Sequence, residues 1–324
     1  MKTIIVTGAA GFIGSHLTER LLGMGLHVAA IDNFNDFYSP QIKHNNINSI
    51  IKKHSNSSCF ELFEGDICDE EFIQKTFEKV KADAVIHLAA YAGVRPSIEN
   101  PVLYAKANID GLVNVLEASH INNIKSFVFA SSSSVYGNNK KLPFSETDNV
   151  DNPISPYAAT KKAGELICHT YNYLYNISFA CLRFFTVYGA RQRPDLAIHK
   201  FTKLIDEGIA IPFFGDGNTK RDYTYIFDII DGVIKALEWT FINKNSYDIF
   251  NLGESNTISL KEMVSAIEKA LDKKAILNKL PFQTGDVECT YADISKAKQI
   301  LGYNPHTSFE EGLHEFIKWY RGNN

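Results

Sequence analysis

Residues 3–14, Thr3-Ile-Ile-Val-Thr-Gly-Ala-Ala-Gly-Phe-Ile-Gly14, decide the fold. The β-branched run Thr3 to Val6 reads as a short, buried parallel strand. Gly8, Gly11 and Gly14 follow as G-x-x-G-x-x-G, and Leu17, Leu21 and Leu22 then recur with a helical period. Strand, glycine turn and helix in that order are the setting a dinucleotide requires. Gly8 permits the tight turn, Gly11 lets the backbone approach a pyrophosphate at the helix N-terminus, and Gly14 lets the helix sit close to the strand. The next strand, His27 to Ile31, ends in Asp32, about 20 residues beyond the loop. A carboxylate there accepts from a ribose diol and repels a 2′-phosphate. Asn33 and Phe34 follow it rather than an arginine, so NAD is expected over NADP.

Outward from this unit, strands and helices alternate. Strands are expected at Phe60–Glu64, Ala84–His87, Ser126–Ala130 and Ser178–Phe185, and helices at Glu70–Val80, Pro101–His120 and 156–175. Residues 36–58, rich in Asn, Ser and Lys, read as a surface insertion with some helix around Gln41 to Lys52. The pattern predicts an α/β fold with a doubly wound parallel sheet (Rossmann-like), its ligands at the strand C-termini. Asp66 stands at one such end, as a bond to an adenine amino group or as a helix N-terminal acid. Leu88, Ala89 and Ala90 are small enough for a cofactor to lie against, and His87 reads as structural. The expected cofactor set is Gly8, Gly11, Phe12, Ile13, Gly14, Asp32, Asn33, Asp66, Ile67, Leu88, Ala89, Ala90, Asn108, Tyr157 and Lys161.

The chemistry is expected in Ser155-Pro-Tyr-Ala-Ala-Thr-Lys161. With a helix starting near Pro156, Tyr157 and Lys161 share one face, one turn apart. A free phenol has a pKa of about 10, and a nearby ammonium lowers it. Tyr157 is then a base, and Ser132, at the end of the fifth strand, can hand on its proton.

The 324 residues are 45% hydrophobic and 22% charged, with a net charge of −4. That suits a globular enzyme of one large domain and a smaller one, and it offers no basic field to nucleic acid or membrane. Cys59, Cys68, Cys168, Cys181 and Cys289 are scattered, as expected of reduced thiols in a cytoplasm; no disulfide frame or metal site is read. No apolar run approaches the ~20 residues of a membrane span.

Gly8-x-x-Gly-x-x-Gly14, Ser132 and Tyr157-x-x-x-Lys161 together resemble the extended short-chain dehydrogenase/reductases over nearly the whole chain. Within them the sequence is most similar to nucleotide-sugar 4-epimerases, and most closely to UDP-glucuronate 4-epimerases. The matching stretches are Ile31-Asp-Asn-Phe-Asn-Asp36, Ala92-Gly-Val-Arg-Pro-Ser-Ile-Glu-Asn-Pro101, Phe185-Thr-Val-Tyr-Gly-Ala-Arg-Gln-Arg-Pro-Asp195 and Gln283-Thr-Gly-Asp-Val287. The dehydratase branch has an Asp-Glu pair where Ser133 and Ser134 stand, and the UDP-glucuronate decarboxylases carry a Glu there. UDP-galactose epimerases tend to have Asn-Pro in place of Thr186-Val187 and an Arg in place of Gln283.

The βα rhythm loosens after Arg191, into a helix from Asp195, a strand at Ile211–Phe214 and a helix through Ile229 to Trp239. Ser259 opens another helix with Glu262 placed for a capping box, and Phe309 to Tyr320 closes the chain. Residues 1–190 are expected to hold NAD, with part of 225–255 rejoining them, and 191–324 to form a smaller α/β domain for the UDP-sugar. Arg191, Arg193 and Arg221 are candidate anion ligands. The resemblance assigns Arg221 to the diphosphate, Asp286 to a ribose hydroxyl, and Thr186 with Arg193 to a sugar carboxylate. Arg95, Ser132, Ser134, Tyr157, Thr186, Arg191, Arg193, Arg221 and Asp286 make up the expected substrate set. The reading is NAD-dependent epimerisation at C4 of a UDP-hexuronate (UDP-glucuronate to UDP-galacturonate) through a 4-keto intermediate, with Tyr157, Lys161 and Ser132 catalytic. The alternatives are a 4-epimerase of UDP-glucose or UDP-N-acetylhexosamines, a UDP-glucuronate decarboxylase, and a silent dinucleotide sensor. A homodimer paired through the helices at 101–120 and 156–175 is expected.

Overall fold

The computed structural model describes residues 2–54, 58–281 and 287–322. The first half lays down β1 (Thr3–Thr7), α1 (Phe12–Gly23), β2 (His27–Asp32), α2 (Pro40–Lys53), β3 (Phe60–Glu64), α3 (Glu70–Val80) and β4 (Ala84–His87). Two short helices follow, α4 (Val94–Glu99) and α5 (Pro101–Ala105), and α5 runs through a π turn at Lys106–Asp110 into α6 (Gly111–Ile121). Next come β5 (Ser126–Ser132), α7 (Pro156–Tyr175), β6 (Ser178–Phe184), β7 (Thr186–Tyr188) and α8 (Ala197–Asp206). The expected helix from Asp195 thus starts two residues later. Short strands β8 (Ile211–Phe214), β9 (Lys220–Arg221) and β10 (Tyr223–Tyr225) precede α9 (Ile226–Ile242). The chain ends with β11 (Tyr247–Leu252), β12 (Ile258–Ser259), α10 (Leu260–Leu271), β13 (Leu277–Leu280), α11 (Ser295–Leu301) and α12 (Phe309–Gly322).

Seven strands form one parallel sheet in the order β11-β6-β5-β4-β1-β2-β3. Helices cover both faces, so β5 and β6 are buried along their whole length, as parallel strands require. Each Phe, Ile or Val sealed between sheet and helix contributes roughly 1.5–3 kcal/mol, and Phe127, Phe129, Phe179 and Phe250 are such residues. The strand order turns back between β1 and β4, which opens a crevice at their C-terminal ends. β11 pairs in parallel with β6, from Tyr247 on Phe179 to Leu252 on Phe184. The remaining strands pair outside the sheet, as β7 with β10, β8 with β13 and β9 with β12. Ser259 and Glu262 form the expected capping box of α10.

Residues 36–54 depart from the surface insertion read above. Lys43, Asn46, Ile47 and Ile50 of α2 are buried, and the Asn46 amide donates to the Ala10 carbonyl at 3.0 Å. The helix expected around Gln41 to Lys52 forms as α2 (Pro40–Lys53), and what the polar composition hid is that it packs inward and braces the glycine loop.

Candidate active site

A cavity of about 350 Å³ opens at the strand ends. One wall is the glycine turn. Gly8 has φ +70°, and a Cβ there would stand 2.8 Å from the Ala89 nitrogen. A Cβ on Gly14 would come within 2.0 Å of the Gly8 carbonyl oxygen. Only glycine therefore keeps α1, β1 and the Leu88–Ala89 segment this close, and the backbone at the helix N-terminus stays bare. Asp32 closes the wall, accepting from the Ala10 and Phe34 amides at 2.9 Å each. Burial raises its pKa, and those bonds oppose the rise. Asp66 accepts from the Asn33 side chain at 2.9 Å and the Cys68 amide at 2.8 Å. The cap of α3 is Asp69 instead. Phe12, Ile13, Asn33, Ile67, Leu88, Ala89 and Ala90 share this wall.

The opposite wall is the first turn of α7. Ser155 caps the helix by accepting from the Ala158 amide at 3.2 Å, and Pro156 takes the first helical position. This register puts Tyr157, Lys161 and Glu165 on one face. Tyr157 and Lys161 line the cavity with Ser131 and Ser132 from the end of β5. Glu165 lies behind, held by Arg183 through Nε at 2.8 Å and Nη2 at 2.9 Å, and it accepts from the Ser131 hydroxyl at 2.6 Å. Burial raises the Tyr157 phenol, while the Ser132 hydroxyl and the Arg193 guanidinium pull it down. Arg193 is thus a charge acting on the phenol that the sequence reading, which named Lys161, did not place there. The Lys161 ammonium donates to the Ala130 carbonyl at 2.7 Å, and burial lowers its pKa to about 8. His87 is structural: it sits 2.9 Å from the Thr7 hydroxyl, stacks on Phe129, and is held by burial at a pKa of about 3.

Thr186 and Arg193 line the far end of the cavity, beside Leu196. Arg193 lies over the Phe37 ring, 4.9 Å from its centroid. Its Nε and Nη2 donate to the two carboxylate oxygens of Asp195, at 3.0 and 2.6 Å.

Of the described residues named from the sequence, Asn108, Ser134, Arg95, Arg191 and Arg221 do not line the cavity. Asn108 sits in the π turn, which breaks the regular helix expected over 101–120. Its side chain bonds the Tyr91 amide at 2.8 Å and the Tyr91 carbonyl at 3.0 Å, so it shapes the wall through Tyr91. π turns are frequent at functional sites for this reason. Ser134 accepts from Ser132 at 3.1 Å. Arg95 lies over the Phe214 ring. Arg191 pairs with Glu19 of α1 at 2.8 Å, and Arg221 belongs to β9. Asp286 falls outside the described residues. Sequence reasoning missed Phe37, Tyr38, Lys43 and Tyr91, all of which line the cavity. Lys43 donates to both the backbone and side-chain oxygens of Asn35 at 2.8 Å; the Asn-rich run after Asp32 was the available signal.

A family model described as GDP-mannose 4,6 dehydratase matches residues 5–316. The UDP-glucuronate 4-epimerase of Thermodesulfobacterium geofontis is 43% identical over 324 residues, covering 100% of this chain and 97% of its own. UDP-glucuronate 4-epimerase 4 of Arabidopsis thaliana is 45% identical over 333 residues, 98% of this chain and 75% of that one. The crystal structure of UDP-glucuronic acid 4-epimerase from Bacillus cereus, in complex with UDP-glucuronic acid and NAD, superposes with a TM-score of 0.91. It is 38% identical and covers 99% of this chain and 100% of its own. The chain belongs to this family, the extended short-chain dehydrogenase/reductases.

Proposed function

We infer that the protein is an NAD-dependent enzyme that inverts C4 of UDP-glucuronate to give UDP-galacturonate. One observation carries the reading: a single cavity joins the glycine turn and Asp32 to Tyr157, Ser132, Thr186 and Arg193. The UDP-glucuronate 4-epimerases among its relatives support it. Ser133 and Ser134, in place of an acidic pair, disfavour dehydration.

The glycine cradle fits a dinucleotide, with Gly8 to Gly14 toward the pyrophosphate, Asp32 and Asn33 toward a ribose, and Asp66 toward the base. NAD supplies a reversible two-electron acceptor for the sugar carbon. Tyr157 takes the O4 proton, with Ser132 beside it to relay, and returns the proton once the 4-keto sugar has turned its other face. Lys161 holds a ribose hydroxyl and keeps a positive charge behind the phenolate. Arg191 and Arg221 remain candidates for the diphosphate, and Asp286 for the uridine ribose. The 4-keto uronate is a β-keto acid, and it loses CO₂ when the breaking C–C bond stands perpendicular to the ketone plane. Arg193 and Thr186, with Ser134, hold the carboxylate out of that geometry.

The experiment is incubation with a panel of UDP-sugars, resolved by NMR, with the cofactor identified after denaturation. UDP-galacturonate from UDP-glucuronate, and released NAD, are expected. Tyr157→Phe keeps the ring and should bind substrate while turnover falls by ~10²-fold or more. Near-normal turnover in that variant, or NADP in the supernatant, ends the assignment.

The residue division at 190/191, a cytoplasmic location and a homodimer complete the proposal. Among the described residues no helix is long and apolar enough to cross a membrane. Ile98, Val102, Leu166 and Leu174 expose apolar side chains on the adjoining helices α4, α5 and α7, a patch suited to a two-fold helical interface. Light scattering at micromolar concentration should give twice the chain mass; a monomer contradicts it.

A further inference from the structure

We propose that Asp195 is an exchangeable stand-in for the substrate carboxylate, occupying the Arg193 fork until a uronate displaces it. The proposal rests on the uronate reading of the site and says how that site chooses its sugar. Asp195 meets the guanidinium edge with both oxygens, from Nε at 3.0 Å and Nη2 at 2.6 Å. A hexuronate carboxylate would make the same planar pair. The two partners differ in where they stand. Arg193 lines the cavity and its side chain is 14% exposed, so an empty fork would leave a largely desolvated cation. The Asp195 side chain is 47% exposed, so once released it is rehydrated at little cost. The two residues sit two apart in the loop before α8, and the Leu196 amide donates to the Arg193 carbonyl at 3.2 Å. Rotation of one short side chain is enough to open the pair.

The exchange trades one carboxylate for another at constant charge on Arg193. A neutral hexose cannot drive it and meets a fork already filled. Asp195 therefore weakens uronate binding somewhat and sharpens discrimination against neutral sugars. It acts through Arg193, as a positioning residue.

The test is calorimetric titration of NAD-loaded protein carrying Tyr157→Phe, which binds without turnover. UDP-glucuronate, UDP-glucose and UDP are each titrated with Asp195 intact and with Asp195→Asn. The substitution removes the competing charge, so the Kd for UDP-glucuronate should fall about three- to tenfold, while that for UDP stays within about twofold. In an Arg193→Met background the same substitution should leave UDP-glucuronate affinity unchanged, which a merely structural role of Asp195 would not produce. Unchanged or weaker uronate binding in Asp195→Asn, beside a clear uronate preference with Asp195 intact, overturns the exchange alone. Equal affinity of the Asp195 form for UDP-glucose and UDP-glucuronate overturns the uronate reading and the exchange together.

Discussion

Two arginine–carboxylate pairs stand near Tyr157 and Lys161, and they are built for opposite ends. Arg183 and Glu165 lie behind α7 with side chains 1% exposed. They are tied into further bonds: Arg183 also donates to the Tyr136 hydroxyl at 3.0 Å, Tyr136 to Asn251 at 2.7 Å, and Ser131 to Glu165. Arg193 and Asp195 make the same two-pronged contact at the cavity wall, with one partner in water. A buried pair is hard to open because each ion would be left uncompensated away from solvent. A pair with one wet end opens cheaply. The same two-pronged contact thus gives a fixed strut in one place and a removable partner in the other, and burial together with the surrounding bonds separates them.

The comparison breaks most visibly at the strut. Arg183→Met leaves the buried Glu165 carboxylate with the more distant Lys162 ammonium, at 3.8 Å, as its charged partner, and a stability loss of about 3–5 kcal/mol is expected, measured by denaturant unfolding of the intact protein. A loss under about 1 kcal/mol would mean that the two pairs do not differ in kind. Arg193→Met should instead cost stability less than about 1 kcal/mol, because Asp195 turns to water. Its effect falls on binding: UDP-glucuronate affinity should drop by about 10- to 100-fold, as for a lost charged hydrogen bond, with UDP-glucose little changed. The share of turnovers ending in UDP-pentose and CO₂ should rise. Equal losses for both sugars would place Arg193 on the diphosphate. The smallest effect is on pH. Arg193 lowers the Tyr157 phenol, so its removal raises that pKa. With a neutral UDP-sugar, the rising limb of the activity profile should move to higher pH in the variant, and a limb that stayed put would remove Arg193 from the electrostatics of the base.

What the sequence made legible was local. Gly8 and Gly14 advertise a backbone conformation, and three residues of spacing suffice to state it. Tyr157 and Lys161 share a face because helical geometry is regular from Pro156 onward. What it concealed was contact between distant or irregular segments. Lys43 belongs to a polar stretch whose composition says surface, yet α2 folds back on the glycine loop and buries it. Asn108 sits in a π turn, where a regular helix would aim it elsewhere. Arg191 takes φ +61°, a conformation no pattern of neighbouring residue types announces, and it points to Glu19, 172 positions away. Arg193 was legible as a candidate anion ligand, but that Asp195 fills its fork depends on a loop without periodicity.

The pairing of β11 with β6 has a consequence for how the chain is made. As the polypeptide leaves the ribosome, β6 is finished by residue 184, but its neighbour arrives only with residues 247–252. Through the intervening 62 residues, a mostly apolar strand that the finished fold buries presents an open edge, of the kind that recruits other nascent chains. The seven-stranded sheet cannot close until then, and a fragment ending at 190 would keep that edge permanently. The late strand therefore acts as a completion signal: the sheet is sealed only once residues 247–252 have been translated, so a prematurely terminated product would remain sticky and exposed to proteolysis.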